Sequence, residues 1–340
     1  MHSESSPLGE FDLIQRFFKT GADQMRSNSD QPISLGIGDD CALLKPAPGE
    51  EIAITSDMLV EGRHFFADAN PEFLGRKALA VNLSDLAAMG AKPLGFTLAI
   101  ALAKADTVWL EAFSKGLFDI ANHYSCPLIG GDTTAGPLTI SITAFGSVPS
   151  GKAIRRSGAK AGDDIWVSGA VGDARLTLAA LHHEITLSAS ELKEIEHRMH
   201  DPVPRVELGI KLRSIASAAL DVSDGLLGDL KHILNQSQVG AEVFLEKLPK
   251  SATLQKQSEG IQNQFAACGG DDYEICFTAP TEHRDAIDVI SKELKLSITR
   301  IGRITANTEP TETLQLLNNG NLLSDMQTAA LLKSFDHFAK

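Results

Sequence analysis

No run in this sequence is apolar for long enough to cross a bilayer. The longest, from Leu94 to Ala103, is interrupted only by Gly95 and Thr97 and has the length of a buried strand. Positive charge is scarce as well. Lys and Arg number 31 against 44 Asp and Glu, giving a formal net charge of −13, and no basic stretch offsets it. Sequence-independent binding to nucleic acid or to a membrane needs a basic surface, so neither is an expected partner. The opening MHSESSPLGEFDLIQRFF carries acidic residues where a secretory signal needs positive charge, so a cytoplasmic location is expected. Only four cysteines occur, Cys41, Cys126, Cys268 and Cys276, with no CxxC pair and no histidine at zinc spacing. They are expected to be reduced core thiols.

The familiar nucleotide motifs are missing too. No GxxxxGK[ST] phosphate loop occurs, and the GxGxxG pattern fails at Cys41 after GIGDD. Nor is there a D-x-[DN]-x-[DN]-G calcium loop.

What is present suits a folded protein: 340 residues, 43% hydrophobic and 22% charged, more than a single core usually holds. Residues 9–28 have helical spacing, with Phe11, Ile14, Phe17 and Phe18 along one side. Strand-like runs follow at SLGIG, EIAITSDML, LGFTLAIAL, PLIGG and PLTISITAFGSV, separated by helical stretches such as PEFLGRKALAVNLSDLAAMGA. The segment PSGKAIRRSGAKAG lacks an apolar period and makes a boundary between 9–149 and 150–340. Beyond it come a strand at DIWVSGAV, helices near ARLTLAALHHE and PRVELGIKLRSIAS, a strand-to-helix turn at AALDVSDGLLGDLKHIL and a strand at YEICFTAP. The polar stretch from Ser251 to Gln264 is expected to be the least ordered part. The fold class is α/β (α+β) in two domains.

The strongest chemical signal is Gly and Asp recurring where strands end. The turns are GIGDD with Asp39 and Asp40, TSD with Ser56 and Asp57, GGDTT with Asp132, DVSDG with Asp221 and Asp224, and GGDD with Asp271 and Asp272. The helical NLSDLAAMG adds Asp85. Each turn alone is ordinary turn chemistry, and Ser84, Ser223 and Asp224 could be helix caps. Turn chemistry would draw equally on Asn and Ser, whereas these positions are repeatedly Asp. Carboxylates at loops after strands suit magnesium, which takes hard oxygen ligands together with substrate phosphates. If phosphates bind, metal must supply the charge neutralisation that a P-loop would otherwise provide.

Taken together, GIGDDCALL, ITSDMLVEGRHF, KALAVNLSDLAAMGAKP, LIGGDTT, RSGAKAGD, DVSDGLLGDL, GGDDYEICF and the terminal FDHF resemble the thiamine-monophosphate kinase family, from about Gly9 to Phe338. The resemblance implies the aminoimidazole ribonucleotide synthetase-like fold. Its N-terminal ATP- and magnesium-binding domain would mediate dimerisation, and its C-terminal domain would close over the nucleotide. ATP would be co-substrate, thiamine monophosphate the acceptor, several magnesium ions the cofactors, and a homodimer the assembly. Carried over residue by residue, Asp40, Thr55, Ser56, Asp57, Asp85, Asp132, Asp221 and Asp224 would hold magnesium, with Asp39 sharing the role of Asp40. Gly131, Asp132, Arg156 and Ser223 match nucleotide-contacting positions, and His64, Asp271 and Phe335 match positions that grip the acceptor. Without the resemblance, Arg156 reads equally as a solvated loop residue, His64 as a surface histidine and Phe335 as core.

One departure is Asp271, where the family often has Glu, so the carboxylate is one methylene shorter. Three other readings stand beside the kinase: a relative in the same superfamily with another acceptor, a metal-dependent phosphohydrolase using the same carboxylates, and a noncatalytic cation-binding protein.

Overall fold

The computed structural model describes residues 9–27, 33–38, 40–306 and 314–332. The chain divides into two compact units, Met1–Leu86 with Lys92–Ser150, and Ala87–Ala91 with Gly151–Lys340.

The first unit opens on a helical run, Glu10–Leu13, a π-helical turn Ile14–Lys19 and Thr20–Ser27. Phe17 and Phe18 are buried, but Phe11 is 81% exposed and leaves the expected stripe. The π turn is wider than an α turn and rotates the residues after it away from the phase of Phe11. A short ribbon of Ile33–Leu35 and Leu43–Leu44 precedes the main elements. These are β1 (Glu50–Val60), α1 (Pro71–Ala88), β2 (Lys92–Leu102), α2 (Thr107–His123), β3 (Leu128–Ala135) and β4 (Thr139–Pro149). The sheet runs β1-β4-β2-β3, with β2 and β3 parallel and the other pairs antiparallel.

α1 is apolar on nearly all sides, as a helix sunk in a core must be, and Leu74, Ala78, Leu79, Val81, Leu83 and Leu86 are all buried. It crosses α2 with backbones in contact. A Cβ on Gly75 would sit 2.1 Å from the Phe113 carbonyl oxygen, and one on Gly116 1.9 Å from that of Glu72, so only glycine permits this approach.

Alternation along the strands sorts the sheet into two faces. The register sets Thr55 beside Ala144, Asp57 beside Ile142 and Leu59 beside Ile140, with Phe96, Leu98 and Ile100 of β2 in the same columns. That face is buried apart from Thr55 and Asp57, which are half-buried. The other carries Ile54, Ser56, Met58, Ala99 and Asp132, and there Ile54 is 64% and Met58 56% exposed.

In the second unit the main elements are β5 (Asp164–Ser168), α3 (Asp173–Leu181), α4 (Ala189–His200), α5 (Val206–Leu212), β6 (Ala218–Asp221), α6 (Leu226–Ser237), β7 (Gly240–Phe244), a one-turn helix at Ala252–Gln255, α7 (Glu259–Cys268), β8 (Ile275–Ala279), α8 (Arg284–Leu294), β9 (Ile298–Thr305), β10 (Leu314–Asn318), β11 (Asn321–Leu322) and a short helix at Asp325–Leu331. The sheet order is β11-β10-β7-β9-β5-β8-β6. Its core gathers Val167 of β5, Leu220 of β6, Leu230 and Ile233 of α6 and Phe265 of α7.

Two expectations are corrected. The stretch from Ser251 to Gln264 is structured: the Ser251 hydroxyl accepts from the Leu254 N–H and donates to Asp173, Leu254 is fully buried, and α7 begins at Glu259. Its polar composition reflects caps and outward faces. Of the cysteines, Cys126 and Cys276 are core thiols, whereas Cys268 is half-buried and Cys41 is exposed in a bend after Asp40. Among the described residues no helix is long and apolar enough to cross a membrane.

Candidate active site

In the first unit, β1 turns Thr55 and Asp57 toward α1. The Thr55 hydroxyl donates a short hydrogen bond to the Asp85 carboxylate. The Asp57 N–H donates to Asn82 Oδ1 at 3.2 Å, and Asn82 Nδ2 donates to the Ala78 carbonyl at 3.2 Å. Asn82 and Asp85 lie three apart and so share one side of α1. The helix therefore supplies one group that fixes the strand backbone, Asn82, and a carboxylate, Asp85, that Thr55 orients.

Ser56 points the other way. Its hydroxyl donates to the Ile142 carbonyl at 3.2 Å and pairs with Thr143 Oγ1 at 3.0 Å across the open face. Asp132 shares that face, since its column runs through Ala99, Ser141 and Met58. Three strand spacings of ~4.8 Å put it about 14 Å from β1. Strand register thus joins Thr55, Asp57 and Asp85 and does not bring Ser56 or Asp132 to them. Before Asp132, Gly131 has φ +149°, and a Cβ there would lie 1.8 Å from the Leu98 carbonyl oxygen. No side chain fits there, and Gly131 is exposed. Asp40 is exposed in its bend, whereas Asp39 and Phe335 lie outside the described residues. His64 closes the turn after β1: its Nδ1 accepts the Val60 N–H at 3.0 Å. The neutral ring then carries its proton on Nε2.

In the second unit, two loops run side by side. Beyond β6 the Val222 N–H donates to the Glu274 carbonyl at 2.8 Å, the Tyr273 N–H donates to the Val222 carbonyl at 2.8 Å, and the Asp271 N–H donates to the Ser223 carbonyl at 2.7 Å. This main-chain ladder sets Ser223, Asp224 and Asp271 on adjoining turns, just beyond Asp221 at the end of β6. Asp221 is buried at the strand end, while Asp224 is exposed. Asp271 and Tyr273 both take left-handed backbone, at φ +71° and +50°. Asp tolerates that conformation better than Glu does, which gives a physical reason for the shorter carboxylate at 271.

Below these loops, Glu274 is sealed from water and takes bonds from both Arg205 Nε at 2.6 Å and Arg205 Nη2, and from the Ser168 hydroxyl at 2.6 Å. Asp272 accepts the Gly172 N–H, and burial holds its carboxyl well above the usual range. Arg156 is exposed, but its segment is anchored: the Ser237 hydroxyl donates to its carbonyl at 3.1 Å, and the Ala219 N–H donates to the Arg155 carbonyl at 3.0 Å.

One residue escaped the motif reading. Asp229 Oδ2 accepts the N–H groups of Ser223, Asp224 and Gly225, each at 3.1 Å. Burial pushes its carboxyl up to about 7 against the pull of those donors. The signal was present in DGLLGD: a Gly N-cap offers no side chain, and an acid follows in the first helical turn.

Among the described residues no three His, Cys, Asp or Glu side chains gather into a metal cage. The donors are hard oxygens, carboxylates and hydroxyls, and they occur singly or in pairs. Such a set fits magnesium, which takes one or two carboxylates and completes its octahedron with water and substrate phosphate.

Residues 38–148 match the family described as AIR synthase related protein, N-terminal domain, and residues 160–315 match its C-terminal domain. The thiamine-monophosphate kinase of Salmonella typhimurium strain LT2 is 45% identical over 333 residues, spanning 97% of this chain and 98% of that protein. Among solved structures, the thiamine-monophosphate kinase of Stenotrophomonas maltophilia K279a aligns with a TM-score of 0.81 at 43% identity, over 88% of this chain and 96% of that one. AaThiL complexed with AMPPCP and TMP aligns with a TM-score of 0.73 at 28% identity, over 99% of this chain and all of that one. With both domains matched in order and such identity sustained along almost the whole of each sequence, the chain belongs to the thiamine-monophosphate kinase family.

Proposed function

We propose that this protein transfers the γ-phosphoryl group of ATP to the phosphate of thiamine monophosphate, giving thiamine diphosphate and ADP. The observation that carries this reading is the 45% identity, over 97% of the chain, to a protein named for that activity. Thiamine monophosphate brings an anionic oxygen as nucleophile, so no side chain is needed as general base, and the residues serve to position and to neutralise.

Magnesium, when bound, would screen two polyanions from each other. Asp40, Thr55, Ser56, Asp57, Asp85, Asp132, Asp221 and Asp224 would hold the ions, with Asp39 sharing the role of Asp40. Thr55 supports this by orienting the Asp85 carboxylate, and Asn82 by fixing the backbone at Asp57. Gly131 would let the main chain approach a phosphate, Arg156 would offer its planar fork to phosphate oxygens, and Ser223 its hydroxyl. His64 would donate from Nε2 to the acceptor, with Asp271 and Phe335 completing its grip. The transfer is direct and in line, without a phosphoenzyme.

Each unit contributes its own set of carboxylates, the first (9–149) also forming the interface of a homodimer. The open sheet face with Ile54, Met58 and Ala99 supports that assembly, because a second copy would cover apolar surface that otherwise meets water. The reaction draws on ATP, and we place it in the cytoplasm.

Incubation with ATP and magnesium, with and without thiamine monophosphate, tests the reading. Thiamine diphosphate formed in step with ADP, with inversion at a chiral γ-phosphate, is the expected result. ADP released equally without acceptor would instead make the protein a phosphohydrolase.

A further inference from the structure

The turn Val222–Gly225 has no backbone donor to spare. On one side, the Val222 N–H donates to the Glu274 carbonyl, and the carbonyls of Val222 and Ser223 accept from Tyr273 and Asp271. On the other, the next three N–H groups in sequence converge on a single carboxylate oxygen, Asp229 Oδ2. Three consecutive N–H groups ahead of a helix form the kind of nest that P-loop enzymes offer to a phosphate. Here the nest is filled from within. Gly225, the N-cap of α6, has no side chain to satisfy these donors and stands at φ +121°, while Asp229 reaches back from the first turn to do so. A Cβ on Gly225 would lie 2.8 Å from the Cys268 carbonyl oxygen, so the cap position is closed to a capping side chain. With every backbone donor of the turn engaged, the side chains of Ser223 and Asp224 are what it can turn toward a ligand.

We infer that Asp229 is a positioning residue for the metal-binding carboxylate Asp224. It replaces phosphate in the nest and so converts a would-be phosphate cradle into a rigid mount for Asp224. The inference rests on the reading of Asp224 as a magnesium ligand. The role does not require Asp229 to touch nucleotide or metal: Asp229 is itself buried, as are Leu226, Leu230 and Cys276. Groups that hold a metal ligand in place typically carry 10–100-fold in metal affinity.

The test uses the full-length protein with an ATP analogue bearing a non-hydrolysable β–γ bridge. Mn2+ affinity is read from the EPR signal of the free ion, alongside the KM for thiamine monophosphate and the thermal midpoint. Asp229→Ala, which empties the nest, is expected to weaken Mn2+ binding about tenfold and to leave that KM unchanged. Asp229→Asn keeps an acceptor oxygen on an isosteric side chain, and is expected to restore most of the affinity and to serve as the reference if the alanine variant does not fold. If both variants bind Mn2+ like the wild type while Asp224→Asn loses it, the positioning role is overturned and the metal reading of Asp224 stands. If Asp224→Asn itself binds Mn2+ normally, that metal reading fails and takes the inference with it. A loss of Mn2+ affinity that appears only together with a matching rise in KM and fall in midpoint would make Asp229 merely structural and would also overturn the inference.

Discussion

The two units hold their candidate ligands by different means. In the first, Thr55, Asp57 and Asp85 are set by strand register and by one helix, and the links among them run through side chains: Thr55 to Asp85, and Asn82 to the backbone of Asp57. In the second, Asp221 ends strand β6, while Asp224 and Asp271 ride on loops locked by main-chain bonds and by buried carboxylates, Asp229 and Glu274. A sheet surface can lose a ligand without losing its shape. A loop mount depends on the groups below it, so ligand geometry and stability are more tightly linked there.

The contrast can be broken at its first arm by Asp57→Asn. The side chain is half-buried and isosteric with its replacement, so turnover should fall by at least about 100-fold, with a thermal midpoint within about 2 °C of wild type. Equal loss of activity and stability would return Asp57 to a structural role. On the second arm, Arg205→Ala leaves Glu274 sealed from water with only Arg198 at 3.4 Å for ionic company. Stability should drop by about 3–5 kcal/mol, the cost of uncovering one partner of a buried pair, as read from urea unfolding, and activity should fall with it. The smallest effect is expected for Asp271→Glu. It keeps the charge but places a less tolerant residue at φ +71°, and should cost about 1 kcal/mol in the same urea measurement. No loss would show that the neighbouring ladder, and not the residue type, holds that turn.

Much of the fold was legible. β1, β2, β3 and β4 appear in EIAITSDML, LGFTLAIAL, PLIGG and PLTISITAFGSV because their composition is β-branched and apolar between turn residues. α1 was visible as the long helical stretch PEFLGRKALAVNLSDLAAMGA, its one interior glycine, Gly75, leaving the pattern intact. The helices between Ser251 and Gln264 were not, since their order comes from caps and a few buried side chains such as Leu254 in an otherwise polar stretch. Nor was the separation of Ser56 from Asp57 across the sheet. Neighbours in a motif are opposites on a strand, and a contiguous TSD reads as one site until its period of two is applied. Asp229 was missed for the converse reason: it is five residues from Asp224 in sequence and acts through three amides, which no pattern of side chains displays. The exposure of Cys41 was likewise hidden, because residue type alone argued for burial.

The central claim is that scattered carboxylates recruit metal in place of a P-loop. It is tested most directly by raising magnesium beyond the concentration at which all ATP is already complexed and following thiamine diphosphate formation. The account predicts that the rate keeps rising as further ions fill sites on the protein, and that Asp57→Asn flattens this rise. A rate that saturates as soon as the ATP complex is formed, in wild type and variant alike, would contradict it.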